Sequence, residues 1–400
     1  MSPYLGAEEA ARRLNVSRQT LYAYVSRGMI AAIPAEDPRQ SLYSAEDIDR
    51  LAVERRRGRR PKEVARSTID WGVPILESAI TLIRDGHLFY RGRDAVALAE
   101  NSSLEDVAGL IWDLPQRAAF PPRAPEATHA YRALLPLMRG QPTNQVLLTL
   151  FTAASEETAT AHWHDDPERL ATGCGELVRA LAAAALGRLP SADPVHVQFG
   201  SAFGLDAAGQ DLVRRALVLC ADHELNVSGF TARCIASSGA SVRAAVTGGI
   251  AALSGYRHGS MTVRVERLWD GLDGAGDLRA ALGRRLDAGE DIPGFGHPLY
   301  PKGDVRAKAI LSAIGSSFPR ATEIAGAVEA LTGKRPTIDF ALVALARHLG
   351  LPDGTAFILF AVGRSLGWIA HALEQRASAT LIRPRAVYSG PRPEDTAGEG

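Results

Sequence analysis

From Ser67 onward the chain is a succession of apolar segments with a repeat of three to four residues, cut by glycine and proline. Residues 105–114, 144–154, 170–186, 209–220, 241–253 and 307–314 all carry this spacing, and so do 324–332, 340–349 and 355–375. Such periodicity predicts helices. Alternation of β-branched with polar residues, which a half-buried strand requires, is scarce. The body is therefore expected to be all-α, ending in an extended, polar, proline-rich tail after Arg383. No fixed-period repeat is present, which argues against a solenoid. At 400 residues the chain exceeds one ordinary domain, so two or three compact units are expected.

The front reads differently. Residues 7–14 place Ala10, Ala11 and Leu14 on one face, and Asn15-Val16-Ser17 then interrupts the pattern. Ser17 suits the N-cap of a second helix running to about Arg27, with Leu21, Tyr24 and Val25 inward. This is the layout of a helix-turn-helix, with Arg18, Gln19 and Tyr22 outward, types suited to phosphates and base edges. After Gly28, residues 30–43 read as a short hairpin with Pro38 and Arg39 at its tip. Ser44-Ala45-Glu46-Asp47 has the form of a capping box opening a third helix. The order is similar to winged helix-turn-helix domains of the MerR and excisionase kind. The run Arg55-Arg56-Arg57-Gly58-Arg59-Arg60-Pro61-Lys62 closes this unit, either as a solvated helix end and linker or as a phosphate contact.

Charge and cysteine narrow the classes further. Net charge is zero, yet residues 1–66 hold 13 Lys and Arg against 9 Asp and Glu, an excess of four balanced by the remainder. Only the front is biased towards a polyanion. Three widely spaced cysteines, Cys174, Cys220 and Cys234, do not make a disulfide scaffold and fit a reducing compartment. The start lacks a basic-then-apolar signal pattern. The most apolar stretch, from Ala356, is broken by Arg364 and His371, so no membrane span is expected. A cytoplasmic protein is the expectation.

Chemistry-bearing residues gather in the second half. His162-Trp163-His164-Asp165-Asp166 lacks further ligands at zinc-like spacing and reads as an exposed loop, so no metal is expected. Ala221-Asp222-His223-Glu224-Leu225-Asn226 forms a polar knot between apolar segments. His258 sits just past a helix end before Gly259, and Pro293-Gly294-Phe295-Gly296-His297-Pro298 is a glycine-rich loop ending in histidine. Asp339 opens an apolar helix, where the helix dipole favours an ionised carboxylate. Arg364 lies within an almost wholly apolar helix and needs a buried partner or an anionic ligand. Taken singly, each has an ordinary structural explanation. Their combination, three His, one Asp and several Arg at loops or buried points, points to a site.

At these residues the sequence resembles the citrate synthase family, from about Gly72 to Gly390. The stretch from Gly72 to Ser78, leading to Tyr90-Arg91-Gly92, is similar to the family's opening. Gly294-Phe295-Gly296-His297 with Asp304-Val305-Arg306 resembles its most specific signature. Residues 221–226 resemble its Ala-Asp-His-Glu segment, and Leu381-Ile382-Arg383-Pro384-Arg385 its C-terminal arginine segment.

The resemblance implies an all-α, two-lobed fold behind the small winged helix-turn-helix domain. It implies domains at 1–60 (winged helix-turn-helix), 61–259 (first part of a large domain), 260–350 (small domain) and 351–400 (C-terminal part of the large domain). It further implies condensation of acetyl-CoA with oxaloacetate and water to citrate. His258 would donate to the thioester carbonyl, Asp339 would take a methyl proton, and His297 would stabilise the developing alkoxide. His223, Arg306, Arg364 and Arg383 would hold the two carboxylates of oxaloacetate, with Arg383 reaching in from the neighbouring subunit of a homodimer. Pro293, Gly294, Gly296 and Lys302 would line the coenzyme A site, the thioester being a co-substrate and no cofactor being bound. Tyr256-Arg257, Ser260-Met261-Thr262, Pro298 and Pro301 depart from the family's usual residues. These departures bear on acyl-chain choice and coenzyme A affinity, and leave propionyl-CoA, giving 2-methylcitrate, as an alternative. A further alternative is a regulator whose body senses oxaloacetate or acyl-CoA while residues 1–60 bind DNA.

Overall fold

The computed structural model describes residues 4–14, 16–26, 29–34, 41–45, 47–49, 51, 76–154, 158–386 and 388–390. The chain divides into two compact units, Met1–Glu77 with Arg385–Gly400, and Ser78–Pro384.

In the first unit a short strand, β1 (Tyr4–Gly6), leads directly into α1 (Ala7–Leu14). Glu8 and Glu9 in the first turn and Arg12 and Arg13 in the last match the helix dipole. Ser17 Oγ accepts the Thr20 N–H at 3.2 Å and so starts α2 (Arg18–Ser26). β2 (Ala32–Pro34) and β3 (Ser41–Ser44) pair antiparallel, as the hairpin reading expects. β1 also pairs with β3, an edge the sequence reading did not include. Ala10, Ala11, Leu14, Leu21, Ile30, Tyr43, Ile48 and Leu51 are this unit's core, with Tyr24 and Val25 packed against it. Ser44 Oγ accepts the Asp47 N–H at 3.3 Å, while the Asp47 carboxylate takes the Ala31 N–H at 2.9 Å. The hairpin tip with Pro38 and Arg39, Glu46 of the capping box, the basic run from Arg55 to Lys62 and the stretch 72–75 lie outside the described residues.

The second unit opens with a small antiparallel sheet of β4 (Thr81–Arg84), β5 (His87–Tyr90) and β6 (Arg93–Asp94). Asp85-Gly86 and Arg91-Gly92 make the turns, all four residues at positive φ, the geometry of two-residue primed turns. Helices follow almost without pause. α3 (Ala95–Asn101), α4 (Leu104–Trp112), α5 (Gln116–Ala119), α6 (His129–Leu134), α7 (Thr143–Ala154) and α8 (Pro167–Leu186) come first. α9 (Val195–Phe203), α10 (Ala207–Leu219), α11 (Val227–Ser237) and α12 (Val242–Leu253) continue, then α13 (Met261–Leu272) and α14 (Leu278–Asp287). α15 (Val305–Ile314), α16 (Pro319–Thr332), α17 (Ile338–His348) and α18 (Thr355–Ser378) complete the body. The nine segments read from apolar spacing all fall on these helices.

The starts are chemically specified. Ser103 and Asp106 form a full capping box, and Asp166, Asp206, Asn226, Ser241 and Asp304 accept first-turn N–H groups of their helices. α18 is buried on every side, as expected for a helix apolar all round at the centre of a core. A Cβ on Gly363 would fall 2.6 Å from the Leu217 carbonyl, and one on Gly367 2.2 Å from Asp222 Oδ1. Those two glycines let α18 lie directly against α10 and the segment after it. α18 is the one described helix long and apolar enough to cross a membrane, and 94% of its apolar window is buried within the protein.

Candidate active site

Three stretches far apart in sequence meet around the middle of α18. The first is the segment between α10 and α11. The Cys220 carbonyl accepts Arg364 Nε at 2.7 Å, and the Ala221 carbonyl accepts the Gly367 N–H at 2.9 Å. Asp222 is fully buried; its Oδ2 accepts the Thr81 hydroxyl at 2.5 Å and its Oδ1 lies 3.3 Å from His371 Nε2. Burial opposes its ionisation, but His371, Arg364 and Thr81 together hold the carboxyl below its ordinary range. His223 follows on this anchored backbone and is itself buried. Burial, then Arg306 and Arg364, keep its imidazole neutral.

The second stretch is the turn after α12. Asn226 Oδ1 accepts the Ser228 and Gly229 N–H groups and the Ser228 hydroxyl at 2.7 Å, fixing the start of α11. Ser228 Oγ in turn lies 2.8 Å from Nε2 of His258. Burial and the Arg364 charge lower the pKa of His258 to about 3. Gly259 beside it is required by packing, since a Cβ there would meet Leu253 Cγ at 2.5 Å.

The third stretch joins two loops. The Thr337 N–H donates to Gly294 at 2.8 Å and the Gly296 N–H to Arg335 at 2.8 Å, with Phe295 opposite Pro336 as an antiparallel bridge. Gly294 and Gly296 have φ of +84° and +80°, where other residues are strained, and a Cβ on Gly294 would strike Val265 at 2.7 Å. The pairing sets His297 one residue past the joint on one side and Asp339 two residues past it on the other. Asp304 then closes the arrangement. Its carboxylate takes Arg306 Nε and Nη2 at 3.0 and 2.8 Å, and also the Ile338 N–H at 3.0 Å, the first residue of α17.

The electrostatics separate the groups. Burial, opposed by Arg306 and by the Thr337 hydroxyl at 3.2 Å, pushes the Asp339 carboxyl up to about 6. Burial and Arg306 bring His297 down to about 4. Burial works against the charge of Arg306, yet Asp304 more than offsets it and holds the guanidinium above its ordinary pKa. Arg364 is 1% exposed, its guanidinium stands 4.9 Å over the Phe360 ring, and its Nη2 has no hydrogen-bond partner among the described residues. A buried cation with an open donor is prepared for an anion.

Of the residues singled out from sequence, His223 and His297 meet edge to face at 5.2 Å. Arg306 and Arg364 lie close enough to shift the neighbouring titratable groups. Pro293 and Gly294 are buried and shape the loop, whereas Gly296 and His297 border a cavity of about 200 Å³ with Tyr300, Asp304, Lys334 and Arg335. Lys302 is exposed, its carbonyl accepting Arg335 at 2.6 Å. Arg383 is exposed in the irregular segment after α18, with no hydrogen bond or ion pair to a described residue. Ser228 and Tyr300 were not singled out. Tyr300 bonds His223 at 3.0 Å, and its one signal was an aromatic residue three positions after His297. Among the described residues no group of three or more His, Cys, Asp or Glu side chains could hold a metal ion.

The helical body is built around one buried helix and brings together histidines of lowered pKa, a carboxylate of raised pKa and two buried arginines. The family model described as citrate synthase, C-terminal domain, matches residues 69–385, and one described as helix-turn-helix domain matches residues 4–56. The chain belongs to the citrate synthase family. It is similar to the citrate synthase of Haloferax volcanii, 31% identical over 370 residues that cover 81% of this chain and 96% of that one. It is also similar to 2-methylcitrate synthase 1 of Corynebacterium glutamicum, 28% identical over 344 residues covering 76% and 89%. The chain spans about half, 53%, of the length of relatives from Mycobacterium bovis and Mycobacterium tuberculosis, at 36% identity. The citrate synthase of Thermotoga maritima superposes with a TM-score of 0.67 at 25% identity, over 80% of this chain and 94% of that one.

Proposed function

We propose that the chain condenses an acyl-coenzyme A thioester with oxaloacetate and water, acetyl-CoA giving citrate and free coenzyme A. The observation that carries this reading is the joint between residues 294–296 and 335–337, which brings the loop of His297 beside the start of the helix of Asp339. Asp339, with its pKa raised to about 6, removes a proton from the acyl methyl carbon. A carboxylate alone cannot hold the carbanion. His258, neutral and braced by Ser228, donates to the thioester carbonyl so that an enol forms. The enol carbon attacks the keto carbon of oxaloacetate, and neutral His297 donates to the resulting alkoxide. Water then cleaves the thioester, releasing coenzyme A.

Arg306, Arg364 and His223 hold the carboxylates of oxaloacetate, and the open Nη2 of Arg364 supports this role. Arg383, exposed and without a bond to its own chain's described residues, serves the site of a second subunit, making the working unit a homodimer. Gly296 and Lys302, with Pro293 and Gly294 shaping the loop, face coenzyme A. The two fully buried thiols, Cys174 and Cys220, fit a cytoplasmic enzyme. Release of free thiol with identification of the product by mass tests the proposal, citrate being the expected product from acetyl-CoA.

Propionyl-CoA as the acyl donor is the second reading, favoured by the similarity to the Corynebacterium protein and by Met261, beside the turn of His258. Formation of 2-methylcitrate faster than citrate, at equal thioester concentrations, would select it. DNA binding by the front unit is supported by its family match and by exposed Arg18, Gln19 and Tyr22 on α2.

A further inference from the structure

Tyr300 stands where three of the proposed substrate-facing groups converge. Its hydroxyl is 3.0 Å from His223 Nε2. Its ring centroid lies 5.2 Å from that of His297, and the Arg306 guanidinium stands 5.5 Å over its face. The side chain is 2% exposed. Among the described residues, His223 Nε2 is the hydroxyl's one hydrogen-bond partner.

The proton between them has two placements. If His223 carried its hydrogen on Nε2, it would donate to the phenol oxygen, and the buried phenol O–H would need another acceptor, which no described residue supplies. If the phenol donates to Nε2, the phenol O–H and Nε2 are both satisfied and only the Nδ1–H is left to donate, because neutral imidazole offers one acceptor and one donor nitrogen. We infer that Tyr300 is a positioning residue that fixes His223 as the tautomer protonated on Nδ1, presenting that N–H as a donor to a carboxylate of oxaloacetate. Burial, with Arg306 lowering the effect, pushes the phenol up to about 12, so the hydroxyl keeps its hydrogen over the working range. The same ring supports Arg306 from its face, so one side chain aligns a neutral donor and a cationic one.

This inference rests on the reading of the site as one for oxaloacetate. Its test is oxaloacetate binding by titration calorimetry, without acyl-CoA, on the parent, Tyr300→Phe, His223→Ala and the double variant. Phenylalanine keeps the ring under Arg306 and removes only the hydroxyl. The expected result is about tenfold weaker binding in Tyr300→Phe, the effect of one misaligned hydrogen bond. In the His223→Ala background the same substitution should change binding by less than twofold, and the KM for acyl-CoA should not move. Equal binding by parent and Tyr300→Phe, or an undiminished effect in the His223→Ala background, overturns the inference while leaving the site reading intact. A parent that binds no oxaloacetate overturns both.

Discussion

Asp304 holds Arg306, two residues further on, through both carboxylate oxygens, with both side chains almost fully buried. The same carboxylate accepts the Arg306 and Ile338 N–H groups, so it also starts α15 and fastens α17. Asp304→Ala should therefore strand a buried guanidinium and release the helix that carries Asp339. The expected loss of stability is about 3–5 kcal/mol by urea titration, as for other broken buried pairs. A loss below about 1 kcal/mol would mean that the pair does not organise the loop.

The pH dependence follows from Asp339, whose carboxyl is raised to about 6 by burial. The folded state retains this proton more tightly than the unfolded one. Stability from the protonated form is thus lost as pH rises from the ordinary carboxyl range through about 6. With Asp339 as the proposed base, activity should run the other way, because only the carboxylate can take a proton. Turnover should rise with pH through about 6, and neutral His258 and His297, with pKa values lowered to about 3 and 4, put no competing limb there. Asp339→Asn should be more stable than the parent at pH 8 by about 1–3 kcal/mol, the gap closing towards pH 4. A gap independent of pH would contradict the raised carboxyl.

The proposal that Arg383 serves the site of a second subunit makes a statistical prediction. Asp339→Ala and Arg383→Ala proteins should each be inactive, and each mixed dimer should regain one complete site. Random exchange of equal amounts should then restore about a quarter of the parental rate. No recovery in a sample whose subunits have demonstrably exchanged would rule out Arg383 acting across subunits.

The helices were legible because their apolar spacing and caps are local. Residues 355–375 read as one buried helix, and α18 spans Thr355–Ser378. The three-stranded sheet at 81–94 was missed because its strands are four residues or fewer, too short for alternation to register. Asp85-Gly86 was the available signal. Within the site, His297 stood out at the end of a glycine-rich loop, Arg364 inside an apolar run and His223 in a polar knot between apolar segments, while Arg306 was picked out by the resemblance of its segment to the family signature. The pairing of 294–296 with 335–337 has no local signature, since it joins loops about forty residues apart. Tyr300 was invisible for the same reason: its role exists only once His223, 77 residues away, is folded against it.

The front unit has its own core and carries none of the proposed catalytic groups. A protein beginning near Lys62 should fold, dimerise and condense at a rate within about twofold of the parent. The intact chain should shift duplex DNA at low salt and release it steeply as salt rises, since phosphate contacts release counterions. A truncated protein that is a folded dimer yet inactive would make the front unit part of the enzyme, and no shift at low salt would remove DNA as its ligand.

The central claim is that Asp339 is the base of a condensation between an acyl-CoA and oxaloacetate. Free-thiol release on mixing acetyl-CoA or propionyl-CoA with oxaloacetate, for the parent and Asp339→Ala side by side, tests it most directly. The account predicts release that requires both substrates in the parent, and a rate at least a thousandfold lower in Asp339→Ala, with oxaloacetate still bound. Release within tenfold of the parent by Asp339→Ala, or none by the parent with either thioester, would contradict it.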